Sequence, residues 1–276
     1  MFQTTRPKSN LQSAVNIAEL IYHNAVRSVR KAHGNAVMAI FMNLLQTIIF
    51  VLAFFAMFSI MGMRGNAVRG DFLIYIMTGI FLYMTFSKTL GAVAGSEGPA
   101  SPMMQHAPMN TAIAIISAML STLYIQVLSL ICILFVYDVA FNPFVMTEIH
   151  DPMGCLGMLI LSWFSGASIG MVFLAAKPWA PTPISIISTI FQRANMIASG
   201  KMFVANTLPG YMLVMFDWNP LFHTIDQSRG YAFANYNPRN SSWEYAFYVS
   251  IVLLMIGLMG EFYTRKHASA SWSARR

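Results

Sequence analysis

Residues Gly166-Ala167-Ser168-Ile169-Gly170 carry the G-x-S-x-G spacing that lifts a serine nucleophile onto a strand-to-helix turn. Here the pentapeptide lies inside a long apolar run, and no Asp–His pair follows in a soluble frame. Small residues spaced by four serve instead to bring two helices close together. His106, His150, His223 and His267 are scattered over loops and segment ends, and no metal-ligand spacing such as H-E-x-x-H occurs. Cys132 and Cys155 imply neither a disulfide framework nor a metal site. Gly200-Lys201 is followed by Met202, without the upstream glycine of a Walker loop. The sequence therefore predicts no catalytic residue, no metal site and no cofactor bound by this chain.

The informative polar groups lie where lipid would be. Ser185, Ser188, Thr189, Gln192, Asn195 and Ser199 recur at three- and four-residue spacing, with Arg193 beside them. A charge at bilayer depth faces protein or water rather than lipid. The stripe either borders a water-filled path or forms a polar helix–helix interface. Asn43, Gln46 and Thr47 repeat the theme more weakly. Tyr75, Tyr83 and Phe86 offer faces on which sugar rings stack, or else ordinary packing. Candidate channel-lining residues are thus Asn43, Gln46, Tyr75, Tyr83, Ser185, Ser188, Gln192, Arg193 and Ser199.

Composition names the elements that hold these groups. The chain has 276 residues, 57% hydrophobic and only 10% charged, where soluble domains carry roughly 25% charge. Its length suits about six spans of about 20 residues. The net charge of +7 fits basic flanks, and no basic run is interleaved with aromatics as nucleic-acid binding would require. No cleavable signal is visible, because the first apolar run is too long for a signal core.

The expected fold is an all-α membrane protein: an N-terminal amphipathic interface helix, six transmembrane helices, and a short re-entrant helix pair between the fifth and sixth. Residues 1–34 form the N-terminal segment. Its helix, about 9–33, has Ser9 and Gln12 as a capping box and Gly34 as a stop. Leu11, Val15, Ala18, Tyr22 and Val29 repeat on one side, as in a helix lying on a membrane or on the surface of a soluble domain. Spans follow at about 35–62, 71–94, 111–139, 153–176, 184–204 and 243–264, with a basic tail at 265–276. With both termini cytoplasmic, eleven Lys and Arg fall inside and five outside, the bias that sets orientation.

Between spans five and six, Pro209-Gly210 and Asp217-Trp218-Asn219-Pro220 interrupt a stretch too short to cross a bilayer. Asn219 as cap and Pro220 at the first helical position start a helix. Leu221, Phe222 and Ile225 share one side, Asp226 and Arg229 stand three apart and can pair, and Gly230 can end the helix. Broken helices at membrane depth survive only against protein or a wet cavity. The segment reads as an outer rim or lid, or as a plain outer loop.

The order of elements, together with "SGKMFVANTLP" (199–209) and "WNPLFHTIDQSRGYAF" (218–233), resembles the permease subunits of type-2 ABC exporters, closest to the branch exporting capsular polysaccharide and O-antigen. Lys201 departs from the apolar residue expected after Ser-Gly. The resemblance implies a homodimeric permease in the bacterial inner membrane, with two copies of a separate ATP-binding subunit that hold ATP and magnesium. It implies a lipid-linked polysaccharide as cargo, and periplasmic and outer-membrane export components as further partners. Residues 96–110 would couple to the ATPase through Glu97, Met104, Gln105, His106 and Pro108. Pro209, Asp217, Trp218, Asn219, Pro220 and Arg229 would form an outer gate over 205–234. The alternatives are a type-2 exporter of another cargo, such as a drug or lipid, and an ion-coupled carrier that works without an ATPase.

Overall fold

A computed structural model describes residues 10–31, 36–60, 68, 70–98, 110–140 and 148–267. Among them no strand occurs. In chain order the helices are α1 (Asn10–Lys31), α2 (Ala36–Ile60), α3 (Phe72–Ala94), α4 (Thr111–Ala140), α5 (Pro152–Ala176), α6 (Pro181–Ala198), α7 (Gly210–Leu213), α8 (Pro220–Ala232) and α9 (Trp243–His267). Five of them, α2, α3, α4, α5 and α9, are long and apolar enough to cross a membrane. The chain is a multi-pass helical membrane protein. The expected fifth span, about 184–204, falls on α6, which is shorter, carries the polar stripe and is not among the five.

The spans start where the sequence supplies caps. Asp71 accepts from the Leu73 and Ile74 amides at 2.7 and 3.3 Å and also from the Tyr137 hydroxyl at 2.8 Å. Asp151 accepts from the Gly154 amide at 3.0 Å, with Pro152 in the first turn of α5. Proline costs nothing there, because that amide has no partner within the helix. The same rule moves the start of α6. "KPWAPTP" reads as a turn, but the helix already begins at Pro181. The proposed Ser9 cap and Gly34 stop lie outside the described residues.

Helices α3 and α5 are mostly buried, whereas α2, α4 and α9 keep most of their surface exposed. In lipid, helices gain little from hiding apolar groups from one another, so close packing and hydrogen bonds hold them. Small residues on α5 permit the approach. A Cβ on Gly166 would sit 2.4 Å from the Phe86 carbonyl oxygen, and one on Gly170 would sit 2.9 Å from that of Leu90. Gly257 of α9 plays the same part against Met171, where a Cβ would come within 2.7 Å. Hydroxyls bond across the seams: Ser162 to the Leu82 carbonyl at 2.8 Å, and Ser165 with Ser250 at 2.6 Å. Ser168 is fully buried and bonds back to the Phe164 carbonyl. The G-x-S-x-G pentapeptide is a packing face on a helix.

Helix α1 runs along α4, where the Ser117 hydroxyl donates to the Ile21 carbonyl at 3.1 Å. An apolar groove of about 970 Å³ remains between them, bordered by Tyr22, Val26, Leu120, Tyr124 and Ile131.

Candidate functional site

Helix α6 stops six residues short of the expected boundary at 204. Gly200 adopts φ +73°, which L side chains rarely take, and a Cβ there would meet Phe222 at 2.7 Å. The turn 199–204 is then gripped by α8. At the start of α8, Asn219 accepts from the Leu221 amide at 3.1 Å as the helix cap. Its side-chain amide donates to Asn195 Oδ1 at 2.8 Å and to the Ala198 carbonyl at 3.1 Å. At the other end, Arg229 donates to the carbonyls of Gly200 (3.0 Å), Lys201 (2.8 Å) and Phe203 (2.6 Å). Its guanidinium lies 4.3 Å from the centre of the Tyr75 ring. Asn219 and Arg229 are both 1% exposed. A helix C-terminus leaves carbonyls unpaired, and here a buried cation satisfies the turn that follows.

The expected Asp226–Arg229 pair does not form. Asp226 instead accepts from the Tyr236 hydroxyl and, at 2.7 Å, from Ser241. Burial and that carboxylate push the Tyr236 phenol well above its ordinary range. Gly230 does not end α8, which runs on to Ala232. Its lack of a side chain instead admits Pro238, which a Cβ would meet at 2.6 Å. His223 Nε2 bonds the Asp217 carbonyl at 2.6 Å while Nδ1 accepts from the Ser242 amide at 3.1 Å. That arrangement is the neutral ring with its proton on Nε2. Helix α8 is thus stitched to both flanking loops, and it packs against α3, α5 and α9.

The candidate outer-gate residues divide. Asn219, Pro220 and Arg229 are buried, while Pro209, Asp217 and Trp218 are exposed. Trp218 is tied down by its indole donating to the Met215 carbonyl at 2.7 Å and by its own carbonyl accepting from Tyr245 at 3.0 Å.

The polar stripe of α6 is two rows. Ser188, Asn195 and Ser199 are buried and Gln192 is half-buried, so this row faces the bundle. Gln192 accepts from Ser87 on α3 at 3.4 Å. Ser185, Thr189 and Arg193, four residues apart, form an exposed row among Ile186, Ile190 and Ile197. The buried row is a polar helix–helix interface, and the exposed row faces outward from the chain. A polar cleft of about 190 Å³ opens between α3, α5 and α6, bordered by Gly91, Lys177, Ser185, Ser188, Thr189 and Gln192.

Helix α2 shows a comparable face, on which Gln46 is exposed among Met42, Leu45 and Ile49. Asn43, Tyr75, Tyr83, Ser188 and Ser199, expected to line a channel, are instead buried within the chain. Asn43 donates to Ser129 at 2.6 Å and accepts from Lys88, with Gln126 near the same oxygen at 3.4 Å. Lys88, counted among the basic flanks in the sequence, sits well inside α3 and closes this knot of α2, α3 and α4. Among the coupling candidates, Glu97 is half-buried beyond the C-terminal end of α3. Met104, Gln105, His106 and Pro108 lie outside the described residues.

Sequence reasoning missed one side chain. Lys201 is 3% exposed, with its ammonium 3.6 Å from the centre of the Tyr83 ring, 4.9 Å from Phe54 and 5.4 Å from Phe50. Only its place after Ser-Gly marked it, since an apolar residue was expected there.

No family model matches the chain. It is similar to the polysialic acid transport protein KpsM of Escherichia coli, at 23% identity over 197 residues, 68% of this chain and 71% of that protein. A second protein of that name from the same organism is 22% identical over 196 residues, with the same shares covered. The similarity bears out the resemblance to permeases of capsule export that the sequence carries.

Proposed function

We propose that the chain is the membrane-spanning permease of an ATP-driven exporter that moves a lipid-linked polysaccharide across the bacterial inner membrane. The observation that carries this reading is the exposed polar row Ser185, Thr189, Arg193 on α6. An arginine on an otherwise apolar outward face cannot remain against lipid without cost. A second copy of the chain, meeting the first through the exposed faces of α2 and α6, would enclose it in a watered passage. Helix α6 then serves as the fifth of six spans, and α8 closes the far end as a re-entrant wedge. Two ATP-binding subunits on the α1 side hold ATP and magnesium. Their stroke reaches the spans through α1 and the 96–110 segment, and both termini face the cytoplasm. The similarity to a named polysialic acid transport protein supports a glycan cargo over a drug or lipid.

The test is affinity purification of the full chain from its native membrane. An ATPase should come with it, and deletion of the gene should remove a surface glycan. Purification alone, with transport undiminished by ATP depletion, would make it an ion-coupled carrier. Arg193→Leu should leave insertion and detergent stability intact, because the Arg193 side chain lies on the exposed row of α6. The same change should reduce glycan export about tenfold in a surface-glycan assay, because an intramembrane charge marks the cargo's path rather than the packing. Unchanged export would place Arg193 away from the passage.

A further inference from the structure

Lys201 is held in two different ways at once. Its backbone is fixed: the carbonyl accepts from Arg229 at 2.8 Å, and Gly79 of α3 lies so close that a Cβ there would come 3.0 Å from the Lys201 Cβ. Its ammonium, by contrast, has no hydrogen-bond partner among the described residues and rests only on the faces of Phe50, Phe54 and Tyr83. Ring faces attract a cation, most strongly where water is excluded, but they satisfy none of its three N–H donors in full. By depth this is membrane interior, for Gly79 and Tyr83 lie roughly 10 to 16 Å along α3 from its start at 1.5 Å per residue. A methionine or leucine would fill the cage with no charge to desolvate. The charge is therefore useful only in a state where the ammonium meets an acceptor that this conformation does not provide.

The surroundings identify that acceptor by its sign. Helices α2, α3, α5 and α6 together contain no Asp or Glu, while Lys88, Arg193 and Lys201 lie on or beside them. Two of the caging rings belong to α2, whose adjacent surface, Ile49 and Leu52, is exposed. A shift of α2 away from the turn at 199–204 would open the cage onto that face while Arg229 and Gly79 hold the Lys201 backbone still.

We propose that Lys201 reads negative charge on the cargo, its ammonium exchanging the three ring faces for an oxyanion of the cargo as that cargo passes the far end of α6. The inference rests on the exporter reading and adds to it a cargo class, an anionic glycan or a glycan on a phosphate-bearing anchor. An ammonium–oxyanion pairing shielded from water changes binding by about tenfold to a hundredfold.

The experiment uses the full complex with its copurified ATPase in nanodiscs. Stimulation of ATP hydrolysis is titrated with oligogalacturonate, with malto-oligosaccharide of equal length, and with undecaprenyl phosphate in the disc. Oligogalacturonate is expected to half-stimulate the native complex at a concentration at least about tenfold below that of the neutral oligosaccharide. Lys201→Met should erase that difference and Lys201→Arg should keep it, with the malto-oligosaccharide response unmoved in both. If Lys201→Met removes the response to undecaprenyl phosphate instead, the oxyanion read is that of the anchor, and the role of Lys201 stands. A Lys201→Met complex that retains both the charge preference and the response to undecaprenyl phosphate overturns the proposal. So does one that loses the neutral response equally, since that is structural damage. A native complex that hydrolyses ATP yet responds alike to charged and neutral glycans, and whose response to undecaprenyl phosphate survives Lys201→Met, overturns the role of Lys201 alone, while a chain that binds no ATPase overturns the exporter reading.

Discussion

Arg229→Ala should lower the melting temperature of the detergent-purified protein by on the order of 10 °C and abolish export. The cause is local. Three buried carbonyls, those of Gly200, Lys201 and Phe203, lose their donor together. A buried acceptor left unpaired costs roughly 1–3 kcal/mol. The vacated volume beside Tyr75 adds a cavity to that loss. Arg229→Lys should recover only part of the stability, because an ammonium cannot span three carbonyls as a planar fork does. Thermal unfolding followed by size-exclusion chromatography checks both variants. A melting temperature for Arg229→Ala equal to that of the native chain would mean that the turn at 199–204 holds itself and that α8 merely leans on it.

Gly166→Leu should prevent accumulation of folded protein. The substituted Cβ would lie 2.4 Å from the Phe86 carbonyl oxygen and 3.0 Å from the Phe86 Cα, and neither backbone atom can rotate away. Overpacking costs about 1–3 kcal/mol where side chains can shift and more where they cannot. The clash would pry open the seam between α3 and α5, around which the other helices assemble. Ser168→Ala is the companion variant. Ser168 bonds the carbonyl one turn back and is fully buried. Removing its hydroxyl should leave both folding and export near native, measured by monodispersity in detergent and by surface glycan. Loss of activity with intact folding in Ser168→Ala would restore a hydrolytic role to the G-x-S-x-G pentapeptide.

The relation between α6 and α8 gives the family-like sequence pattern a physical meaning. "SGK" and "NP…R" are far apart along the chain, at 199–201 and 219–229, yet they form one interlocked unit. Glycine makes the positive-φ turn, asparagine ties the cap of α8 to the end of α6, and arginine satisfies the carbonyls that the turn exposes. Any motion of α8 is thereby transmitted to the end of α6, where the polar rows terminate.

Much of this could be read from the residues alone. Period and hydropathy located the five long apolar helices to within a few residues, because a bilayer demands about 20 apolar residues per crossing wherever it is crossed. Caps are local chemistry, so Asn219-Pro220 marked the start of α8 without reference to anything distant. The direction in which a polar side chain faces is not local. One stripe on α6 proved to be two rows, since a rotation of about 100° per residue separates Ser188 from Thr189, and only the positions of α3, α5 and α8 decide which row is covered. The partner of a charge is no more local: Arg229 passed over Asp226, three residues away, for carbonyls 26 to 29 residues earlier. Lys201 looked like an anomaly in an apolar motif, and only tertiary packing brought three rings from two other helices around it. Which stretches form long apolar helices was therefore settled by the residues, because hydrophobicity and capping act over short stretches. Packing between helices decided which polar groups are sealed and which remain open, because that depends on neighbours far away along the chain.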